Sequence, residues 1–285
     1  MLEEYGQAIL RWKVMDVVYV CILIVADTFF FEQISPFQRQ FMINDPTIQH
    51  PFTVRERVPA MTLLALMVSV PPLIIVAVTF FTVPKRFRIQ VVYISILSLF
   101  LSMSTCVMVT DIFKNWIGRL RPDFLARCQP KQGLLNNVYY SAVDACTTDN
   151  WQRLLDGFRT TPSGHSSMVW SSFGFISLWT YSQLSIYSHA FTSSIALTPL
   201  LYCFYVAFSR VQDYRHHFVD VCLGSLLGAT IAYWSYTRCF PYPWRHESHV
   251  PLMLLQDSPK KDFYSELEFN NGYLPPPAHD FQLPV

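Results

Sequence analysis

Long apolar runs separated by short polar stretches dominate this chain. Six of them approach or exceed the roughly 20 residues that a helix needs to cross a hydrocarbon layer about 30 Å thick: residues 14–31, 59–83, 89–110, 166–187, 190–208 and 218–237. The second to fifth contain no Asp, Glu, Lys or Arg, while the first carries Asp16 and Asp27 and the sixth carries Asp220. A membrane barrel would instead show short segments of alternating polarity. The pattern therefore predicts an all-α, polytopic integral membrane protein, with six transmembrane helices in a bundle over residues 1–240. Beyond 240, prolines at 241, 243, 251, 259 and 275–277 return together with charged residues. This reads as a mobile Pro-rich tail over 241–285. The first run could be a cleavable leader, but Thr28-Phe29-Phe30-Phe31 offers no small-x-small cleavage site, and it is read as a retained span.

Composition sharpens this picture. Charged residues are 14% of the chain against 52% hydrophobic, whereas soluble domains carry about 25% charged residues. A formal net charge of +1 argues against a polybasic nucleic-acid binder. Six spans put both termini on one side and the connections 32–58, 111–165 and 209–217 on the other. The densest short basic loop, 84–88, lies on the side of the termini, which places the termini in the cytosol by the positive-inside rule. The opposite face holds more Lys and Arg overall, but several of these belong to the polar islands described next.

Three such islands sit at span ends on one face. In the first, Lys114 and Arg121 are seven residues apart and point the same way if the helix continues as far as Pro122. In the second, Ser163 is a good N-cap for the fourth span, Gly164 permits close approach to the backbone, and His165 falls in the first turn, where an anion is favoured. In the third, running from Ser209 to Asp220, the carboxylate of Asp220 can reach His216 four residues before it or His217 three before it, and spacing does not choose between them. An ionisable group inside an apolar run is costly and usually functional. A metal site at His165, His216, His217 and Asp220 is the competing reading, disfavoured because Lys and Arg crowd the same face. Taken together, cations and N–H donors suit phosphoryl oxygens, and imidazoles with a carboxylate suit nucleophilic attack and protonation of a leaving oxygen.

These islands resemble the signature of the type 2 phosphatidic acid phosphatase superfamily, K-x6-R-P, P-S-G-H and S-R-x5-H-x3-D. It is matched by Lys114/Arg121/Pro122, by Pro162/Ser163/Gly164/His165 and by Ser209/Arg210/His216/Asp220. The strings 118–122 and 213–217 are similar to those of the lipid phosphate phosphatases, and 45–52 looks like a loop of fungal diacylglycerol pyrophosphate phosphatases. The resemblance implies that His216 is a nucleophile forming a phosphohistidine, that Asp220 orients it, and that His165 protonates the leaving oxygen. Lys114, Arg121, Ser163, Gly164 and Arg210 would bind the phosphoryl group. It also implies a lipid phosphate substrate taken from the bilayer, no cofactor or Mg²⁺, and a lumenal or extracytoplasmic site, without distinguishing vacuole, Golgi, endoplasmic reticulum and plasma membrane. Alternatives are a lipid phosphotransferase on the same scaffold and an inactive anion- or partner-binding relative. Cys128 and Cys146 lie on the same face and can pair if it is oxidising.

Overall fold

The computed structural model describes residues 12–187, 190–245 and 247–255 of the 285. Among these the protein is helical, with two isolated bridges and no strand. Five helical segments are long and apolar enough to cross a membrane. α1 (Val14–Ala26) runs into a single π turn, Asp27–Phe31. α2 (Ala60–Thr82) continues through Pro71 and Pro72, and α3 (Arg88–Ile117) is the longest helix. Prolines inside a helix are tolerated where neighbouring helices re-satisfy the freed carbonyls. Lipid-facing positions such as Met61, Leu73, Phe81, Leu201 and Leu226 are exposed, which water would penalise and hydrocarbon does not.

The expected fourth span is also helical, from 164 to 187, but differs in kind. It is built from α7 (Gly164–Val169), a π turn (Trp170–Gly174), α8 (Phe175–Leu184) and a 3₁₀ turn (Ser185–Tyr187). It falls short of the apolarity of the other five. The reason is its position: Ser166, Ser167, Ser171, Ser172, Ser177 and Ser182 are all buried against protein. Hydroxyls here bond across helices. Ser102 Oγ donates to the Ser171 carbonyl at 2.7 Å, Ser177 Oγ to the Ala196 carbonyl at 2.7 Å, and the Thr110 and Ser167 hydroxyls meet at 2.9 Å. Small polar residues of this kind let membrane helices approach closely and supply interhelical hydrogen bonds.

α9 (Ala190–Gln212) and α10 (Phe218–Cys239) complete the bundle. α10 packs chiefly on α3 and α7. Gly224 and Gly228, one turn apart, make that contact possible: a Cβ at Gly224 would lie 2.5 Å from the Ser163 carbonyl oxygen, and one at Gly228 would lie 2.2 Å from that of Ser167.

Connection 111–165 is a folded cap with its own core. It contains α4 (Phe124–Cys128), α5 (Ala142–Ala145) and α6 (Trp151–Asp156). Phe124, Phe158, Leu154 and Ala145 are buried together with Phe41 and Ile48 from connection 32–58. The two connections join where Phe41 and Tyr140 exchange backbone hydrogen bonds at 3.1 and 2.9 Å. Cys128 and Cys146 are disulfide-bonded within the cap. At the other end, the packed chain extends past 240. Val250 is fully buried, the Tyr236 hydroxyl donates to the Ser248 carbonyl at 2.8 Å, and Gln183 Nε2 donates to the His249 carbonyl at 2.8 Å. α11 (Leu252–Leu255) follows. The remainder of the expected tail, 256–285, lies outside the described residues.

Because the added methyl meets backbone rather than a side-chain tip, Gly228→Ala should cost about 1–3 kcal/mol. A thermal melt in detergent should show a lowered midpoint, while Leu226→Ala on the lipid-facing side should stay within about 0.5 kcal/mol of wild type.

Candidate active site

α3 does not continue to Pro122 as the sequence suggested. It ends at Ile117, where Gly118 takes a left-handed conformation (φ 58°) and its N–H returns to the Lys114 carbonyl. Lys114 and Arg121 are therefore brought together by a reversal of the chain and not by helical periodicity. Arg121 is set by its own backbone N–H, which donates to the Gly157 carbonyl at 2.8 Å. The ammonium of Lys114 presses on Gly164, where a Cβ would lie 2.7 Å from Nζ. His165 Nε2 donates to the Val58 carbonyl at 3.1 Å.

His216 lies 4% exposed just before α10, its Nδ1 2.7 Å from the Thr160 carbonyl oxygen. A carbonyl can only accept, so Nδ1 carries the proton and Nε2 is the free nitrogen. Lys114, Arg121, Gly164, His165 and His216 line one cavity of about 410 Å³, as do Glu32, Glu56, Asp111, Asp156 and Arg159. Apart from Thr110, the rest of its wall is apolar, from Ala60, Leu63, Leu64 and Met67 of α2, Val107 of α3 and Met168 of α7. The chamber is thus half ionic and half hydrocarbon.

Three of the candidate site residues do not line it. Ser163 occupies the N-cap position, but its side chain makes no cap bond; it accepts from the Ser166 hydroxyl at 3.1 Å. Arg210 is fully buried behind the wall, donating to Glu56 Oε2 at 2.8 Å and Asp213 Oδ2 at 3.1 Å. Asp220, also fully buried, is not bonded to His216. Its carboxylate accepts from Thr160 Oγ1 (2.9 Å), Thr161 Oγ1 (2.5 Å), Arg119 Nη1 (2.8 Å), and His217 through the backbone N–H (2.9 Å) and Nδ1 (3.1 Å). The i,i+4 relation to His216 fails because α10 starts only at Phe218. His217 is its N-cap and Asp220 its third residue, so the two form a capping box. Asp220 still reaches His216 indirectly, since the Thr160 hydroxyl that bonds Asp220 also lies 3.2 Å from His216 Nδ1.

The acids of the cavity were not legible as site residues. Asp111 pairs with Lys114 at 3.1 Å, and Asp156 joins Arg121 at 2.7 Å and Arg127 at 2.8 Å. Only Asp111 carried a local signal, three residues from Lys114 on one helix face. Asp156, Arg159 and Thr160 come from the end of α6 and the loop that leads into α7. Burial, followed by the nearby Arg121 and Lys114, holds the His216 imidazole well below the usual histidine range, outweighing the opposite pull of Asp220. Among the described residues no group of three or more His, Cys, Asp or Glu is arranged to hold a metal ion.

Residues 95–243 match the model of the PAP2 superfamily. The chain is 45% identical over 234 residues, 81% of each chain, to diacylglycerol pyrophosphate phosphatase 1 of Saccharomyces cerevisiae. It is 32% identical to a probable diacylglycerol pyrophosphate phosphatase 1 of Schizosaccharomyces pombe, covering 95% of this chain and 94% of that one. It is 28% identical to lipid phosphate phosphatase 2 of Arabidopsis thaliana, covering 90% and 88%. No solved structure matches the chain significantly. The chain belongs to the PAP2 superfamily.

The depressed imidazole of His216 has a consequence for stability. Above about pH 6.5 neither folded nor unfolded His216 is protonated; below it the unfolded chain takes up a proton that the folded ring refuses. Stability is therefore full above pH 6.5 and falls as the pH drops towards the folded value. Thermal midpoints in detergent should decline between pH 7 and 5, and His216→Gln should flatten that slope by up to about 1.4 kcal/mol per pH unit.

Proposed function

We propose that this chain is an integral membrane lipid phosphate phosphatase that hydrolyses diacylglycerol pyrophosphate, phosphatidate and lysophosphatidate through a phosphohistidine, without Mg²⁺. The observation that carries the reading is the His216 imidazole: its Nδ1–H is spent on the Thr160 carbonyl, and its Nε2 is left for a chamber that also holds Lys114 and Arg121. A neutral, buried imidazole whose tautomer is fixed by its second nitrogen is a competent nucleophile.

Lys114 and Arg121 neutralise the phosphoryl oxygens, and the α7 N-terminus adds a backbone donor at Gly164, while the Ser163 N–H is spent on the Asp220 carbonyl. Arg210 acts from behind the wall, through Glu56. Nε2 attacks phosphorus as the leaving oxygen departs. His165 supplies that oxygen's proton, the bound phosphate dianion favouring the charged form of the ring. Water then splits the N–P bond. Asp220 holds Thr160, Thr161 and His217, and through Thr160 steadies the imidazolium character of His216.

The apolar half of the chamber accommodates the start of an acyl chain while the phosphate lies at headgroup depth. The serine-lined run 164–187 serves as a sixth crossing, which puts both termini on one side; the basic loop 84–88 makes that side cytosolic and leaves the site on the lumenal or extracytoplasmic face. The relatives' names support the substrate class.

Purified protein should release phosphate from phosphatidate micelles in excess EDTA. His216→Ala should abolish release, and His165→Ala should lose roughly 10²–10⁴-fold. Terminally ³²P-labelled substrate should label wild type with an acid-labile adduct. An adduct retained in His216→Ala, or activity that survives there but dies in His217→Ala, would overturn the assignment.

A further inference from the structure

We propose that Arg159 forms a subsite for the second phosphate of a lipid pyrophosphate, and so sets the preference for pyrophosphate over monoester substrates; this rests on the phosphatase reading above. Arg159 lies outside the three-part signature, yet it lines the same chamber as Lys114, Arg121 and His216. Among the described residues the other two chamber cations are each paired with a carboxylate, Lys114 with Asp111 and Arg121 with Asp156. Arg159 makes no ion pair among the described residues. It is held instead by backbone: Nη2 donates to the carbonyls of Glu32 at 3.1 Å and Ile34 at 2.6 Å. Its buried Nε has no hydrogen-bond partner.

A guanidinium anchored by neutral carbonyls keeps its whole charge for an anion. Position matters as much as charge. Arg159 directly precedes Thr160, whose carbonyl fixes His216. One short stretch of chain therefore sets both the nucleophile and this cation. Glu32 lines the same chamber, and an acidic residue there favours a second phosphate only if the guanidinium takes it.

The chemistry distinguishes the substrates. With a lipid pyrophosphate, the Nε2 lone pair of His216 forms the N–P bond at the terminal phosphorus. The bridging P–O bond breaks, and its electron pair stays on the bridging oxygen, which leaves as part of phosphatidate. That leaving group carries phosphate oxygens for Arg159 to stabilise as charge builds on them. With phosphatidate the leaving group is the glycerol oxygen, which offers the guanidinium no phosphate oxygen. In both cases water cleaves the N–P bond to release inorganic phosphate and the neutral imidazole.

The test is kcat/KM for dioleoylglycerol pyrophosphate and dioleoyl phosphatidate in the same mixed micelles, for full-length wild type, Arg159→Gln and Arg159→Lys. The pyrophosphate-to-monoester ratio should fall roughly tenfold or more in Arg159→Gln, and less in Arg159→Lys, which keeps charge but loses the planar fork. A ratio within about twofold of wild type in Arg159→Gln overturns the proposal, including the case where both substrates lose equally. If Arg159→Gln does not yield a monodisperse protein, the Lys variant decides by the same ratio and the same limit. Wild type inactive on both lipids would instead sink the phosphatase reading itself, a result distinct from an unshifted ratio.

Discussion

One buried carboxylate ties the polar end of this bundle together. Asp220 receives Arg119 from the end of the first island, Thr160 and Thr161 from the approach to the second, and His217 from the third. A charge at zero exposure beside hydrocarbon is tolerated only when it is paired and fully hydrogen-bonded, and here that requirement has a geometric effect. Satisfying the carboxylate obliges the end of α3, the loop before α7 and the start of α10 to meet at one point. The Ser163 N–H adds a further tie by donating to the Asp220 carbonyl.

From that joint the chamber follows. Thr160, fixed by Asp220, presents its carbonyl to His216 and turns Nε2 into the available nitrogen. The close approach at Gly224 and Gly228 brings α10 against the Ser163 and Ser167 backbone, so the helix that carries Asp220 and the helix that begins at Gly164 share one end. A ladder of alternating charges surrounds them: Arg121 to Asp156, Asp156 to Arg127, Arg127 to Asp123, and Arg215 and Arg210 to Glu56. Such a network stiffens the cap over the membrane end and keeps the guanidinium groups preorganised, which is where electrostatic catalysis gains most. An amphipathic chamber between these groups and α2 suits a molecule with a charged head and apolar chains.

Much of this was readable along the chain. The spans near 14–31, 59–83, 89–110, 190–208 and 218–237 coincide with helices because lipid-facing helices must be apolar over a membrane's thickness. Run 166–187 was read correctly as helical, but its serines mark an inner helix that satisfies its polar groups across the bundle. The first island misled about geometry. Lys114 and Arg121 do converge on one chamber, but after a break at Gly118 that helical phase cannot foresee. The third island left His216 and His217 equivalent, and it took the start of α10 at Phe218 to make His217 the cap and leave His216 facing the chamber.

The linear order of residues by itself determined what is local: which segments are apolar enough for lipid, where polar islands interrupt them, and which types of side chain those islands carry. Three-dimensional packing decided everything that depends on distance across the chain. It directed the Asp220 carboxylate to His217 and Thr160 instead of His216, withdrew Arg210 behind Glu56, and brought Asp156 and Arg159 to the chamber wall. Periodicity reports the faces of one helix, whereas a buried charge chooses partners by proximity, and proximity between residues a hundred positions apart exists only once the bundle has closed.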